Sequence, residues 1–357
     1  MLKNNWAVAF SGLLNQFRYI VNFNCCYYNI SEYLIKVGVH VLGETILLNK
    51  KILVSGADGF IGTHLCNLLR GHGVNVIGLG RTFTESKKNL AEDHVLDITN
   101  KLKLRELVQD IQPDYVVHLA AAKIRSVKLS DYRIGYETNF IGSLNLVEAC
   151  QELANFSRFI FLGSCDEYGC QSVPFEESSR EAPVSAYGVT KLAVTQLLQT
   201  LARAKGFPAV ILRPSVVYGP GQNVDMFLPA LIQTLLSGER FKMSQGEQTR
   251  DFLYIEDLVN AIMQALISPK ALGRVINISS ALPLRIDGLA TKIAQLIGAE
   301  SEMLLDIGAL DYRVGEAMNY WAKNSLAGDL LDWFPRIPID EGLRLTINSV
   351  RATRVIN

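Results

Sequence analysis

Residues 54–65 read "VSGADGFIGTHL", with glycines at Gly56, Gly59 and Gly62. They follow a short apolar run, "KILVS" at 51–55, and precede a stretch patterned as a helix to about residue 71. In a strand–turn–helix unit the first glycine lets the chain turn sharply, the second admits a pyrophosphate against bare backbone, and the third lets helix and strand pack closely. The helix start, here at Phe60 and Ile61, then meets the anion with free N–H groups and the positive end of its dipole. The spacing differs by one residue from the common dinucleotide fingerprint, and glycines that only shape a tight turn give the same letters. Taken alone, the motif leaves both readings open.

Outward from the motif the chain alternates. Strands are expected at "VNVIGL" (74–79), "HVLDI" (94–98), "DYVVHLA" (114–120), "RFIFLG" (158–163) and "AVILRP" (209–214). Helices are expected at 136–150 and 187–205. Strands that are apolar throughout, trading places with helices, predict an α/β fold with a parallel sheet covered on both faces, a doubly wound Rossmann-type arrangement. After residue 215 the rhythm breaks into Pro/Gly turns, helices near 226–237, 257–268, 285–297 and 339–350, and a short strand "RVINIS". The expected organisation is an N-terminal extension at 1–48, a dinucleotide-binding core at 49–215, and a smaller C-terminal α/β lobe at 216–357.

Composition narrows the function classes. At 357 residues, 49% hydrophobic and 20% charged, the chain can bury a large core. Thirty-five basic residues balance thirty-five acidic ones, so no strong field exists to gather nucleic acid or an anionic membrane. The six cysteines show neither C-x-x-C spacing nor the density of a disulfide scaffold, which fits a reducing cytoplasm and predicts no metal site. Residues 1–48 are rich in Asn, Tyr and Phe; their longest charge-free stretches, 4–17 and 19–31, fall short of a membrane span. "WAVAFSGLL" has a signal peptide's apolar character, but no small-x-small cleavage site follows, leaving an accessory extension or a start assigned upstream.

"SAYGVTK" sets Tyr187 and Lys191 four apart, on one helical face. With the glycine motif, "VVHLAAAK", Asn139, "GSCDEYG", "LRPSVVYGPGQ", "RDFLYIEDLVNA", "NISS" and "YRVGEAM", the chain resembles the extended short-chain dehydrogenase/reductase family, in its nucleotide-sugar epimerase/dehydratase branch. The resemblance covers about residues 50–350 and implies that the lobe at 216–357 mainly binds substrate. It implies Tyr187 as acid/base on a sugar hydroxyl, and Lys191 lowering its pKa and holding the nicotinamide ribose. Ser164 would bond the same sugar oxygen. Asp97 would accept from the adenine amino group, its alternative being a cap on a helix starting near Thr99. Ile98, Leu119, Ala120, Ala121, Lys123 and Asn139 complete the implied cofactor contacts. Gly80 stands where NAD-preferring members carry an acidic residue, and Arg81 follows, so the resemblance favours NADP over NAD; a solvated surface arginine is the plainer alternative.

Arg250 and Arg313 would grip the diphosphate of a nucleotide diphosphate sugar, with Asp166 beside the sugar; surface ion pairs with Asp251 or Glu316 are the alternative, and two arginines in segments that match the family favour the substrate role. The implied reaction is hydride transfer at sugar C4, as an epimerase or 4-ketoreductase. Dehydration loses ground because Cys165 and Asp166 replace the usual acid pair. A non-catalytic dinucleotide-binding regulator would be expected to lack Tyr187 or Lys191. A homodimer is expected.

Overall fold

The computed structural model describes residues 46–83, 93–124, 128–313 and 315–356. Residues 46–357 cluster as one compact unit. The expectations for residues 1–45 lie outside the described residues.

The chain opens with β1 (Lys51–Ser55), α1 (Phe60–Gly71), β2 (Asn75–Gly80), β3 (Asp93–Val95), α2 (Lys101–Ile111) and β4 (Tyr115–His118). It continues with α3 (Leu129–Gly135), α4 (Gly142–Gln151), β5 (Arg158–Leu162), α5 (Ala186–Lys205) and β6 (Ala209–Pro214). The later elements are β7 (Val216–Tyr218), α6 (Phe227–Leu236), β8 (Phe241–Met243), β9 (Thr249–Tyr254), α7 (Ile255–Ile267), β10 (Val275–Ile278), β11 (Pro283–Arg285), α8 (Ile286–Ile297), β12 (Leu305–Ile307), α9 (Ser325–Leu331) and α10 (Ile339–Ile356).

Seven strands form one sheet in the order β10-β6-β5-β4-β1-β2-β3, every pair parallel. Successive side chains of a strand point to opposite faces. Ile52, Val54, Val76, Val117, Ile160 and Leu212 therefore enter one core with Leu65 and Leu69 of α1 and Leu258 and Ile262 of α7. Leu53, Ile77, Leu79, Val116, Phe159 and Ile211 enter the other, against Leu104 of α2, Leu146 of α4 and Leu198 of α5. Burial on both faces is why these strands are apolar without alternation. Helix α1 meets the sheet with Gly62, Leu65, Cys66 and Leu69, the i, i+3, i+4, i+7 face of a helix. The strand expected within "RVINIS" is β10, and it pairs with β6 at the edge of the large sheet. Two small sheets, β11-β9-β7 and β12-β8, complete the C-terminal half.

Two local expectations differ from the structure. The third strand stops at Val95, short of residue 98, because the Asp97 carboxylate accepts from the Thr99 N–H and hydroxyl at 2.9 Å each and bends the chain. Asn100, not Asp97, then caps α2 through the Lys103 N–H. The helix expected at 136–150 contains a wide turn at Tyr136–Ile141, where the Gly142 N–H bonds to Glu137 five residues back. The Ser143 hydroxyl claims the Asn139 carbonyl there, a side-chain bond that competes with the regular helical ladder.

Candidate active site

Strand order reverses between β1 and β4, and at such a switch point the carboxyl ends of the strands open a crevice. The turn from β1 into α1 lines it. Gly56 has φ +75°, and a Cβ there would stand 2.8 Å from the Ala120 nitrogen, so only glycine passes the exit of β4. A Cβ on Gly62 would lie 2.1 Å from the Gly56 carbonyl oxygen, which is the close helix–strand approach the spacing predicts. Helix α1 has no capping side chain and no acidic residue in its first turn. The N–H groups of Phe60, Ile61 and Gly62 thus have no intrahelical partner at the positive end of the dipole, and this donor set fits a pyrophosphate.

Around this cradle, Leu119, Ala120 and Ala121 leave β4 half-buried, with the Leu119 N–H on the Ser55 carbonyl at 3.0 Å. Lys123 is exposed, its Nζ 3.9 Å from Sδ of Met226 just before α6. Arg81 is exposed beyond β2, Asp97 is exposed after β3, and Ile98 is buried beneath Gly142. The Asn139 amide accepts from Ala122 N–H at 2.7 Å and donates to the Ala122 carbonyl and to Thr190 Oγ1. It fastens the exit of β4 to α5.

Helix α5 starts at Ser185, whose hydroxyl accepts the Gly188 N–H at 3.1 Å. Tyr187 and Lys191 follow one turn apart. Lys191 is 2% exposed; its Nζ donates to the Leu162 carbonyl at 2.6 Å and lies 5.7 Å from the Tyr187 ring centre. Burial pulls its pKa down to about 8, with the Glu167 carboxylate opposing that shift. Gly188 lets the helix close on the neighbouring turn, since a Cβ there would stand 2.6 Å from the Asp166 carbonyl oxygen. That turn carries Ser164, whose Oγ accepts the Asp166 N–H at 3.1 Å and whose own N–H donates to Glu167 at 2.9 Å. The Cys165 thiol is fully buried and donates to the Arg213 carbonyl, and burial first, then the Asp251 charge, holds its pKa well above the ordinary value. Asp166 accepts from the Tyr320 hydroxyl at 2.7 Å.

Arg250 bonds the Thr249 and Ala317 carbonyls and pairs with Glu316, while Arg313 is exposed on the turn whose carbonyl accepts the Glu316 N–H. The structure therefore gives Arg250 the Glu316 partner that the sequence offered as an alternative.

Three buried features escaped the sequence reading. Arg213, fully buried, bonds Glu167 at 2.8 Å through Nε and Glu181 at 2.8 Å through Nη2. Burial lowers its pKa but the Glu167 charge, followed by Tyr168, raises it above the ordinary value. The signal was an arginine inside the apolar run "AVILRP", because a charge in a buried strand needs a partner. His118 lies between Ser55 Oγ at 2.6 Å and Ser143 Oγ at 2.7 Å. Since the Ser143 hydroxyl donates to Asn139, it accepts from His118 Nε2, and Nδ1 accepts from Ser55. Burial, then the Lys191 charge, lowers the His118 pKa to about 3 and keeps the ring neutral. Tyr320 is the third, on the far side of Asp166.

A glycine-rich turn that fits a pyrophosphate at the switch point of a doubly wound sheet, with a buried lysine beside a tyrosine on a helix tied to the exit of β4, is the arrangement of a nicotinamide-dinucleotide enzyme of the Rossmann class. The model of the NAD dependent epimerase/dehydratase family matches residues 52–279, and the chain belongs to that family. A protein described as an uncharacterized UDP-glucose epimerase, YtcB of Bacillus subtilis (strain 168), is 34% identical over 82% of this chain and 95% of its own. The dTDP-D-glucose 4,6-dehydratase of Bos taurus is 32% identical over 87% of this chain and 91% of its own. The solved structure of MoeE5 in complex with UDP-glucose and NAD superposes with a TM-score of 0.77 at 30% identity, covering 85% of this chain and 99% of that one. Among the described residues no helix is long and apolar enough to cross a membrane.

Proposed function

We propose that the protein is a nucleotide-sugar 4-epimerase that works on a UDP-hexose, with Tyr187 as its acid/base. The observation that carries this is the Lys191 ammonium, buried beside the Tyr187 ring on a helix that the Tyr187 N–H ties to the Ile124 carbonyl, in the segment leaving β4. A cation held there favours the phenolate, so Tyr187 can take the proton of a sugar hydroxyl and return it. Ser164, steadied by its bonds to Asp166 and Glu167, offers its hydroxyl to the same oxygen. Arg250 and Arg313 hold the diphosphate; the Arg250 fork is already oriented by two carbonyls and exchanges Glu316 for phosphate. The bound dinucleotide supplies the hydride acceptor and donor for C4.

A 4-ketoreductase would use the same residues, and the epimerase named among the relatives puts epimerisation ahead. Dehydration is less well supported, although a dehydratase is among the relatives. Elimination of water needs a group that gives up a proton, and the Cys165 thiol is buried, bonded to a backbone carbonyl and held protonated. The expected preference for NADP rests on Gly80 and Arg81, and the Asp58 carboxylate beside Gly80 competes with it. Tyr187→Phe tests the proposal: turnover of the UDP-hexose is expected to vanish while dinucleotide affinity stays near the parent value. A Phe variant with parental turnover would remove Tyr187 from the chemistry.

A further inference from the structure

Strand β2 ends at Gly80, a buried residue with no side chain to offer a cofactor. The space beside it is nevertheless taken. A Cβ on Gly80 would stand 2.6 Å from Oδ1 and 2.7 Å from Cγ of Asp58, so Gly80 has to be glycine for the Asp58 carboxylate to lie against the tip of β2. The Thr82 N–H points at the other carboxylate oxygen, 3.4 Å away. Asp58 directly precedes Gly59, the residue from which α1 starts. Its carboxylate thus lies between the pyrophosphate cradle and the end of the second strand, the region where a Rossmann fold receives the adenosine ribose.

We propose that Asp58 accepts the hydrogen bonds of the ribose diol and makes the protein prefer NAD over NADP. This rests on the reading above that the glycine-rich turn holds a nicotinamide dinucleotide. A carboxylate is an acceptor-only group suited to two hydroxyls, and a 2′-phosphate would meet it with like charge. Arg81, the basis for expecting NADP, has a nearby anion of its own. The Asp97 carboxyl is held below its ordinary pKa chiefly by the Thr99 N–H and hydroxyl against its burial, and the Arg81 cation adds to that lowering. The preference expected from Gly80 and Arg81 is therefore reversed by a residue that linear sequence separates from them.

Equilibrium titration of NAD and of NADP into cofactor-stripped protein tests this, with circular dichroism to verify folding. The parent is expected to bind NAD more tightly, and Asp58→Ser to move the NAD:NADP affinity ratio toward NADP by about tenfold or more. Asp58→Asn, which keeps the shape, should move it the same way. The double variant Asp58→Ala with Gly80→Asp returns a carboxylate to the same space from β2, and should regain preference for NAD. A parent that prefers NADP, or a ratio unmoved by Asp58→Asn and Asp58→Ser while both dinucleotides bind, overturns the assignment of Asp58. A parent that binds neither overturns the dinucleotide reading itself, and the assignment with it.

Discussion

An ammonium sealed from water, bonded to one carbonyl and set between the Phe161 and Tyr187 rings is costly to keep charged, and the Lys191 pKa falls to about 8 from 10.5. Between those two values the unfolded chain binds more protons than the folded one, so this residue makes stability rise with pH across that window. Catalysis should run the other way, since the cation that favours the Tyr187 phenolate is lost as pH passes about 8 in the cofactor-free protein. Lys191→Met is expected to abolish this stability slope in urea midpoints measured from pH 8 to 10.5 and to weaken both turnover and dinucleotide binding. An unchanged slope and unchanged affinity would leave Lys191 a packing residue. At this scale the Tyr187–Lys191 pair was legible, because helical spacing fixes which side chains share a face. Asp58 was not, because its place is set by the fold bringing the glycine-rich turn against Gly80.

Strand β6 and the Ser164–Glu167 turn are joined by one buried ion pair, Arg213 with Glu167. Removing one partner of such a pair strands a charge in the core, at a cost of about 3 to 5 kcal/mol. Glu167→Gln should fall at the lower end, since Glu181 still faces the guanidinium. Lost turnover should accompany it, because Glu167 also accepts the Ser164 N–H. The double variant Glu167→Leu with Arg213→Met should recover stability without recovering turnover. Urea unfolding and activity on the same samples check this, and a Gln variant as stable as the parent would show that the pair does not anchor the turn. Helices α6, α7 and α8 begin and end within about two residues of expectation because an apolar stripe marks them. The wide turn at Tyr136–Ile141 and the early end of β3 escaped, because hydrophobic periodicity is blind to the side-chain-to-backbone bonds of Ser143 and Asp97 that create them.

At the scale of the whole molecule, two cores clamp a seven-stranded parallel sheet, and the sequence declares this through strands that never alternate. The edge strand β10 was harder to assign, since four residues carry no sign of which sheet they join. Leu47 is fully buried in the same core as Ile52 and Leu65, although the sequence set the start of the folded unit near Asn49. A chain beginning at Asn49 should lose about 1.5 to 3 kcal/mol relative to one beginning at Ile46, as read from thermal melts of the two. Equal stability would mean that Leu47 does not contribute to the core. Reversible hydride transfer at C4 is best tested by mixing dinucleotide-loaded protein with UDP-hexoses that carry deuterium at C4. A rise in nicotinamide fluorescence is expected with at least one of them, with deuterium retained at C4 of the epimerised product. Deuterium replaced by solvent hydrogen, or a nicotinamide that stays oxidised with every UDP-hexose, would contradict it.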